Sequence, residues 1–371
     1  MKLLICAGMT GGGIYPALAV LQTLKKDSLE ILWIGSEGGM ENELITRLDI
    51  PFKAIPAAGL HGIGFVRLPG NLRRLWAGYR QARQIIADFQ PDIFFSTGGY
   101  LSVPVALAAR RVPQIVFIPD IEPGLALKVL IRAADQVLTS TTESEKFIPS
   151  HKNIIVTGYP LREEITRWTR KAAQKEFNLS TDLPVLLVFG GSKGARSINQ
   201  ALFPSLPALL QKAQVVHISG TDNWEGTSTF AHRLDSSLGK RYHPFPYLHE
   251  NMGAALAAAD LVVCRAGAST LGELPYFNLP AILVPYPYAW RYQKTNAEYL
   301  VKAGGALMLR DEDLPSMLCE TISNLLEHPE RLEKMSAAMR AQAAPDAAQI
   351  IANIIRNLHE IMQQKGAQIH D

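Results

Sequence analysis

The amino-acid sequence predicts an α/β protein made of two doubly wound, Rossmann-like domains that face each other across a cleft. Three observations carry that prediction. Apolar, strand-like runs alternate with helical patterns along the whole chain, the signature of parallel sheets built from βαβ units. A glycine-rich turn follows a strand-like run in each half: Gly8-Met9-Thr10-Gly11-Gly12-Gly13 and Gly190-Gly191-Ser192-Lys193-Gly194-Ala195. The length, 371 residues, favours two domains of ordinary size over one.

The first half opens with a strand at residues 3–7, the glycine turn, and a helical pattern over 15–26. Strand-like runs follow at 30–34, 93–96, 114–118, 136–139 and 154–157, with a second helical pattern over 72–89. The series restarts at 185–189 and continues at 215–219, 261–264 and 281–285. Between the halves, residues 160–184 are charged and end in Asn-Leu-Ser-Thr-Asp-Leu-Pro, which reads as a domain junction. The first domain is therefore set at 1–162 and the second at 163–345. Apolar spacing at Ile350, Ile351, Ile354, Ile355, Leu358 and Ile361 predicts a packing helix over 346–363, in a segment 346–371 that is able to cross back onto the first domain.

Composition narrows the class. Hydrophobic residues make up 47% and charged residues 19%, which is enough apolar material for two cores. The formal charge is +3, and residues 1–162 carry 17 basic and 13 acidic side chains. That local surplus suits a first domain facing an anionic membrane surface or a phosphorylated lipid; no nucleic-acid partner is expected. Cys6, Cys264 and Cys319 are isolated and lack metal-ligand spacing, so they read as small buried hydrophobes in a reducing compartment. With no evident secretory signal and no apolar run of membrane-spanning length, a soluble or peripheral protein is expected.

Both glycine turns break a strand and open a helix, a geometry that lets backbone N–H groups approach an anion at a helix N-terminus. In the second, Ser192 stands at an N-cap position and Gly194 permits close approach of a ligand, which suits a diphosphate. Lys193 is followed by Gly rather than Ser or Thr, so the loop is not a Walker A sequence, and a GxGxxG spacing is also missing. A second cluster of small residues, Arg265-Ala266-Gly267-Ala268-Ser269, again follows a strand and leads to Glu273. A carboxylate there is either an acceptor for vicinal sugar hydroxyls or a solvated helix residue. Gln293 and Asn296 offer amides to sugar hydroxyls or stand in solvent. Asp311-Glu312-Asp313 reads as a solvated turn, and no metal site is expected.

The ordered set is more specific than any one motif. Thr10-Gly11-Gly12, Gly98-Gly99-Tyr100-Leu101-Ser102-Val103-Pro104, Gly158-Tyr159-Pro160-Leu161-Arg162, the turn at 190–195, Arg265-Ala266-Gly267-Ala268 with Glu273, and Gln293 with Asn296 together resemble the MurG family, glycosyltransferase family 28, over nearly the whole chain. The resemblance implies a GT-B fold, no cofactor and no required metal. It implies inverting transfer of N-acetylglucosamine from UDP-N-acetylglucosamine to undecaprenyl-diphosphate-linked N-acetylmuramoyl-pentapeptide, for peptidoglycan synthesis at the cytoplasmic face of the bacterial membrane. The alternatives are a diverged member glycosylating another lipid or small acceptor, and a non-catalytic UDP-sugar-binding protein.

Carried over by position, Arg162, Ser192, Gly191 and Gly194 belong to the UDP phosphates, Glu273 to the ribose, and Gln293 and Asn296 to the sugar. Backbone near Leu248, in Phe245-Pro246-Tyr247-Leu248-His249, is implied to read the uracil. Thr10, Gly11 and Gly12 are placed with the donor set; Gly13, Gly99, Tyr100 and Ser102 with the acceptor set. Tyr292 stands where the family has a glutamine.

Departures concentrate on the acceptor side. The family's Gly-Gly-His ends here at Gly13, and its His-Glu-Gln-Asn run before Pro123-Gly124-Leu125 is replaced by Phe117-Ile118-Pro119-Asp120-Ile121-Glu122. An inverting transfer needs a base near the attacking hydroxyl. Asp120 is the candidate and His61 the second choice, against a reading of Asp120 as a simple turn residue. Leu72, Leu75, Trp76, Tyr79 and Ile86 fall at helical spacing among Arg73, Arg74, Arg80 and Arg83, preceded by Ile63, Phe65, Val66 and Leu68. Such a stripe forms an interfacial helix for an anionic membrane, or an ordinary packed helix with its arginines in water.

Overall fold

Runs such as Leu3-Leu4-Ile5-Cys6-Ala7 and Val185-Leu186-Leu187-Val188 are apolar at every position because the strands they form are covered on both faces. The computed structural model describes residues 1–8, 11–25, 28–59, 68–191 and 194–370. The chain divides into one unit of Met1–Arg162 with Pro345–Asp371, and a second of Glu163–Ala344.

In the first unit the order is β1 (Lys2–Ala7), α1 (Gly11–Leu24), β2 (Glu30–Ser36), α2 (Met40–Thr46), β3 (Phe52–Ile55), α3 (Leu68–Phe89) and β4 (Ile93–Gly98). It continues with α4 (Ser102–Ala108), β5 (Gln114–Ile118), α5 (Leu125–Ala133), β6 (Gln136–Thr139) and β7 (Ile154–Val156). The second unit runs α6 (Glu163–Thr166), α7 (Arg170–Glu176), β8 (Val185–Phe189), α8 (Arg196–Leu209), β9 (Gln214–Ile218), α9 (Trp224–Ala231), α10 (Ser236–Gly239) and β10 (Tyr242–Phe245). Then come α11 (Met252–Ala258), β11 (Leu261–Cys264), α12 (Thr270–Tyr276), β12 (Ala281–Leu283), α13 (Trp290–Lys302), β13 (Ala306–Met308), α14 (Leu314–Glu327) and α15 (Pro329–Arg340). The last helix, α16 (Ala347–His370), packs on α1, buries Ile351, Ala352 and Ile355, and carries Arg356, whose Nη2 donates to Thr23 O at 3.4 Å.

Both sheets are parallel, with strand orders β3-β2-β1-β4-β5-β6-β7 and β10-β9-β8-β11-β12-β13. In each, the order reverses beside the strand that starts the unit: between β1 and β4 in the first, between β8 and β11 in the second. In open α/β sheets ligands bind outside the carboxyl ends of the strands at that reversal. Both glycine turns leave the sheet there.

Some expectations change. Residues 160–184, read as a junction, contain the helices α6 and α7. The strands β3, β10 and β13 were not expected, and each lies at an edge of its sheet.

Candidate active site

The first glycine turn is held from below by side chains that donate to its carbonyls. Trp33 Nε1 donates to Ala7 O at 3.0 Å, Thr97 Oγ1 to Gly13 O at 2.7 Å, and Tyr159 OH to Gly12 O at 3.3 Å. With the carbonyls of Gly12 and Gly13 held this way, α1 opens at Gly11 with its first N–H groups free of intrahelical partners, the usual device for an anion. The guanidinium of Arg162 stacks on the ring of Tyr15 in α1, 3.9 Å from its centroid. Of the expected donor residues, Arg162 thus belongs to the first unit and stands over α1.

The acceptor set separates on burial. Gly99 and Tyr100 are half-buried at the end of β4, beside Gly59. Ser102 is fully buried, and its hydroxyl donates to Gly98 O at 2.7 Å and lies 3.2 Å from Cys6 O. Ser102 therefore ties β4 to β1 instead of presenting to an acceptor. Asp120 is half-buried just past β5, whose end is fixed by Ser140 Oγ, 2.9 Å from Pro119 O. Beneath Gly8 lies Glu41, fully buried, which accepts from Ser36 N at 2.8 Å and Ser36 Oγ at 2.6 Å. A side chain at Gly8 would come within 2.9 Å of Glu41 Oε1, so this carboxylate helps shape the turn.

In the second unit the turn after β8 is shaped by close backbone approach. Gly191 and Gly194 have φ of +92° and +78°, and Gly194 N donates to Gly191 O at 2.9 Å. A Cβ on Gly194 would lie 2.0 Å from Ser219 O. That carbonyl is itself anchored: Asn199 Nδ2 in α8 donates to it at 2.9 Å, while Ser219 N donates to Phe245 O at 3.0 Å. Asn199 Oδ1 in turn lies 3.0 Å from His217 Nε2, and His217 Nδ1 lies 2.7 Å from Tyr242 OH. Since the Asn199 amide donates to Ser219, its Oδ1 accepts, so His217 is the neutral Nε2–H tautomer and Tyr242 donates to Nδ1. Burial lowers the His217 pKa to about 3 and raises that of Tyr242. This chain of bonds links the turn after β8 to β10, three residues before the half-buried Leu248.

The other positions expected at the donor sit on the helices that follow β11 and β12, namely α12 and α13. Glu273 lies half-buried in the first turn of α12. Gln293 Oε1 accepts from Tyr286 N at 2.8 Å, which fixes the amide and turns its Nε2 donor to the other side. Asn296 is fully buried, and its Nδ2 donates to Ala266 O at 3.2 Å. It supports the small-residue loop at Ala266. Asp311, expected in a solvated turn, is paired with Arg265 and bonded by Ser197, and is only 24% exposed. Thr10, His61 and Ser192, and with them Ile63, Phe65 and Val66, lie outside the described residues.

Other candidates fall away. Burial raises the Cys6 thiol to about 12 and pushes Cys264 up as well, so neither is a thiolate nucleophile. Among the described residues no group of His, Cys, Asp or Glu is arranged to hold a metal, and no helix is long and apolar enough to cross a membrane. On the first unit, α3 exposes Leu72 and Trp76, with Trp76 stacked on Tyr79; Leu75, Tyr79 and Ile86 are half-buried. Its neighbour α4 exposes Leu107, and α5, which packs on α4, exposes Leu125 and Val129.

Two doubly wound units, each with a glycine turn at its sheet reversal, make up a fold of the GT-B class. Residues 3–139 match the N-terminal domain of glycosyltransferase family 28 and residues 185–351 its C-terminal domain. The chain belongs to glycosyltransferase family 28, among its MurG-type members. A relative from Roseiflexus sp. (strain RS-1) is 40% identical over 95% of this chain and 94% of its own. Another, from Desulforamulus reducens, is 35% identical over 98% of this chain and 100% of its own. Both are UDP-N-acetylglucosamine–N-acetylmuramyl-(pentapeptide) pyrophosphoryl-undecaprenol N-acetylglucosamine transferases. The crystal structure of Acinetobacter baumannii MurG aligns with a TM-score of 0.75 at 25% identity, over 96% of this chain and 99% of that one. The fold alone is shared with a UDP-GlcNAc 2-epimerase from Neisseria meningitidis, at 15% identity and a TM-score of 0.67.

Proposed function

We propose that this protein transfers N-acetylglucosamine from UDP-N-acetylglucosamine to N-acetylmuramyl-(pentapeptide) pyrophosphoryl-undecaprenol, the step that completes the lipid-linked disaccharide of peptidoglycan. The observation that carries this reading is end-to-end identity of 35–40% to transferases of that reaction, spanning both units. In this reading the second unit holds the donor. The UDP diphosphate sits on the turn at 190–195, with Ser192, Gly191, Gly194 and the N-terminus of α8; Arg162 is assigned to the UDP phosphates by the family resemblance alone. Glu273 accepts from the ribose hydroxyls, Gln293 donates to the sugar, and backbone near Leu248 reads the base. Asn296 acts through the loop it holds.

The chemistry is a single displacement with inversion. The acceptor hydroxyl attacks C1, its proton passes to a carboxylate, and the C1–O bond to the UDP β-phosphate breaks. Negative charge builds on the leaving phosphate, where fixed N–H dipoles at a helix N-terminus are most effective. Asp120 is proposed as the base. It follows the carboxyl end of β5, adjacent to β4 in the sheet, and Gly13 offers no basic group. Gly13, Gly99 and Tyr100 are assigned to the acceptor's diphosphate, and so are the N–H groups of Gly11 and Gly12 that open α1, first placed with the donor set.

The acceptor's lipid requires a membrane surface. Leu72 and Trp76, exposed among Arg73, Arg74 and Arg80, support docking of α3 on anionic lipid at the cytoplasmic face, with the protein peripheral. The test is an assay with UDP-N-acetylglucosamine and a soluble analogue of the lipid-linked acceptor. Stoichiometric release of UDP with formation of the disaccharide supports the reading. Tight UDP binding with no transfer to this or other acceptors overturns it in favour of a binding protein.

A further inference from the structure

One charged cluster in the second unit has no part in the chemistry above. Arg265, the first residue after β11, is 10% exposed, and Asp311 opens the 3-10 turn Asp311–Asp313 that follows β13. Arg265 Nη1 donates to Asp311 Oδ1 and, at 3.3 Å, to Val284 O. Its Nη2 donates to Ser197 Oγ at 2.8 Å, and the Ser197 hydroxyl donates onward to the same Asp311 oxygen at 2.8 Å. Each hydrogen is used once, and the ring of bonds closes.

The anchors come from four places at the carboxyl edge of one sheet. Ser197 lies in the first turn of α8, Arg265 starts the loop that leads to α12 and Glu273, Val284 follows β12 two residues before Tyr286, and Asp311 follows β13. Three of these segments carry the proposed donor contacts. A guanidinium at the mouth of an anion site would ordinarily be read as a phosphate ligand. Here three of the five N–H groups are directed to a carboxylate, a hydroxyl and a carbonyl, so the fork is held in one orientation and its charge is compensated. A buried pair of this kind adds little net stability and contributes chiefly by fixing geometry.

We infer that Arg265, Ser197 and Asp311 form a clamp that positions the donor half of the site, and that Arg265 and Asp311 are positioning residues for the UDP-sugar and not contacts to it. The inference rests on the second unit being the donor half. It predicts a loss confined to donor binding, with a particular dependence on side-chain shape. A lysine at 265 cannot bridge three acceptors as the planar fork does, whereas a glutamate at 311 keeps the charge and can re-form the pair.

The test uses the full chain and two readouts, UDP affinity by calorimetry and separate KM values for donor and acceptor analogue, with Tm measured alongside. Asp311→Ala, Asp311→Asn and Arg265→Lys are expected to weaken UDP and raise the donor KM by about tenfold or more while the acceptor KM stays within about twofold. Asp311→Glu is expected to return both to within about threefold of wild type. The milder Ser197→Ala keeps the test open should the others misfold, with an expected loss of about threefold to tenfold. Donor affinity within about twofold of wild type in folded Ser197→Ala and Asp311→Asn overturns the clamp, as does an equal rise in both KM values. Wild-type protein that binds UDP but transfers no sugar defeats the proposed reaction and leaves the clamp standing. Wild-type protein that binds no UDP overturns the donor assignment and the clamp with it.

Discussion

Gly191 and Gly194 separate two reasons for a glycine within one turn. Both have positive φ, so alanine at either costs about 1–2 kcal/mol in backbone conformation. Their surroundings differ sharply. A Cβ on Gly191 meets nothing within 4 Å, while one on Gly194 would lie 2.0 Å from Ser219 O and 2.9 Å from Ser219 C. Neither atom is the end of a flexible side chain; both are backbone, held by Asn199 and by Phe245. To restore ordinary contact the turn or β9 must move by more than about 1 Å, an overpacking term of about 1–3 kcal/mol beyond the conformational one. Gly194→Ala should therefore be the less stable by that difference, which lowers Tm by about 2–4 °C per kcal/mol in a domain of this size. Displacement by about 1 Å in a site that orients a diphosphate also costs on the order of 100-fold in turnover. The assay is thermal denaturation of both variants with and without UDP, followed by transfer kinetics. Equal Tm values for the two variants, or a more stable Gly194→Ala, would refute the close-approach argument.

Three further outcomes follow from named groups. His217 has its pKa lowered from 6.5 to about 3 by burial, so below pH 6.5 the unfolded chain takes up the proton first. Its stabilising contribution is whole above that pH and is lost as pH falls toward 3, at up to about 1.4 kcal/mol per pH unit. His217→Gln should flatten the acid limb of the stability curve measured by urea titration, and an unchanged slope would contradict this. Asp120→Asn should cut kcat by about 10²–10⁴-fold with UDP affinity kept, and undiminished turnover would remove Asp120 as base. Leu72→Ser and Trp76→Ser should leave Tm near wild type, since both side chains are exposed. Each should weaken co-sedimentation with anionic vesicles by roughly tenfold, from about 1.5 kcal/mol or more of lost apolar burial; equal sedimentation with neutral and anionic vesicles would count against membrane docking.

The central strands were legible because burial on both faces leaves little room for polar residues. The strands that escaped notice are edge strands. Phe52–Ile55 alternates with an exposed Lys53, Tyr242–Phe245 contains Pro244, and Ala306–Met308 is three residues long. Edges need neither continuous apolarity nor a full ladder of donors, so local sequence marks them poorly. At the site, glycine turns announce themselves by composition, but the role of a polar side chain does not. Ser102 and Asn296 were expected at ligands and instead satisfy carbonyls of the loops beside them. Asp311 looked like one acid in a solvated triplet because its partner lies 46 residues away and Ser197 lies 114 away. The Asn199–His217–Tyr242 chain is similarly non-local and offers no spacing to read.

Glycine stands at position 13, where the family has histidine. A side chain at position 13 would find room, since its Cβ would meet nothing closer than Thr97 Oγ1 at 3.4 Å. Glycine there is therefore not forced by packing, and Gly13→His should fold. Nor does its presence dismantle the turn. The anion-binding capacity of such a turn resides in N–H groups, and it requires that the intervening carbonyls be held elsewhere. Thr97 and Tyr159 do that for Gly13 and Gly12, and Trp33 does it for Ala7, whatever side chain stands at 13. Phosphate recognition and proton transfer are thus separable on the acceptor side. In the proposed reaction the histidine's loss removes a candidate base and leaves the N–H groups of the turn in place, so deprotonation is assigned to a carboxylate from another strand end. Asp120, half-buried two residues beyond the carboxyl end of β5, the strand next to β4, is the side chain proposed for that role.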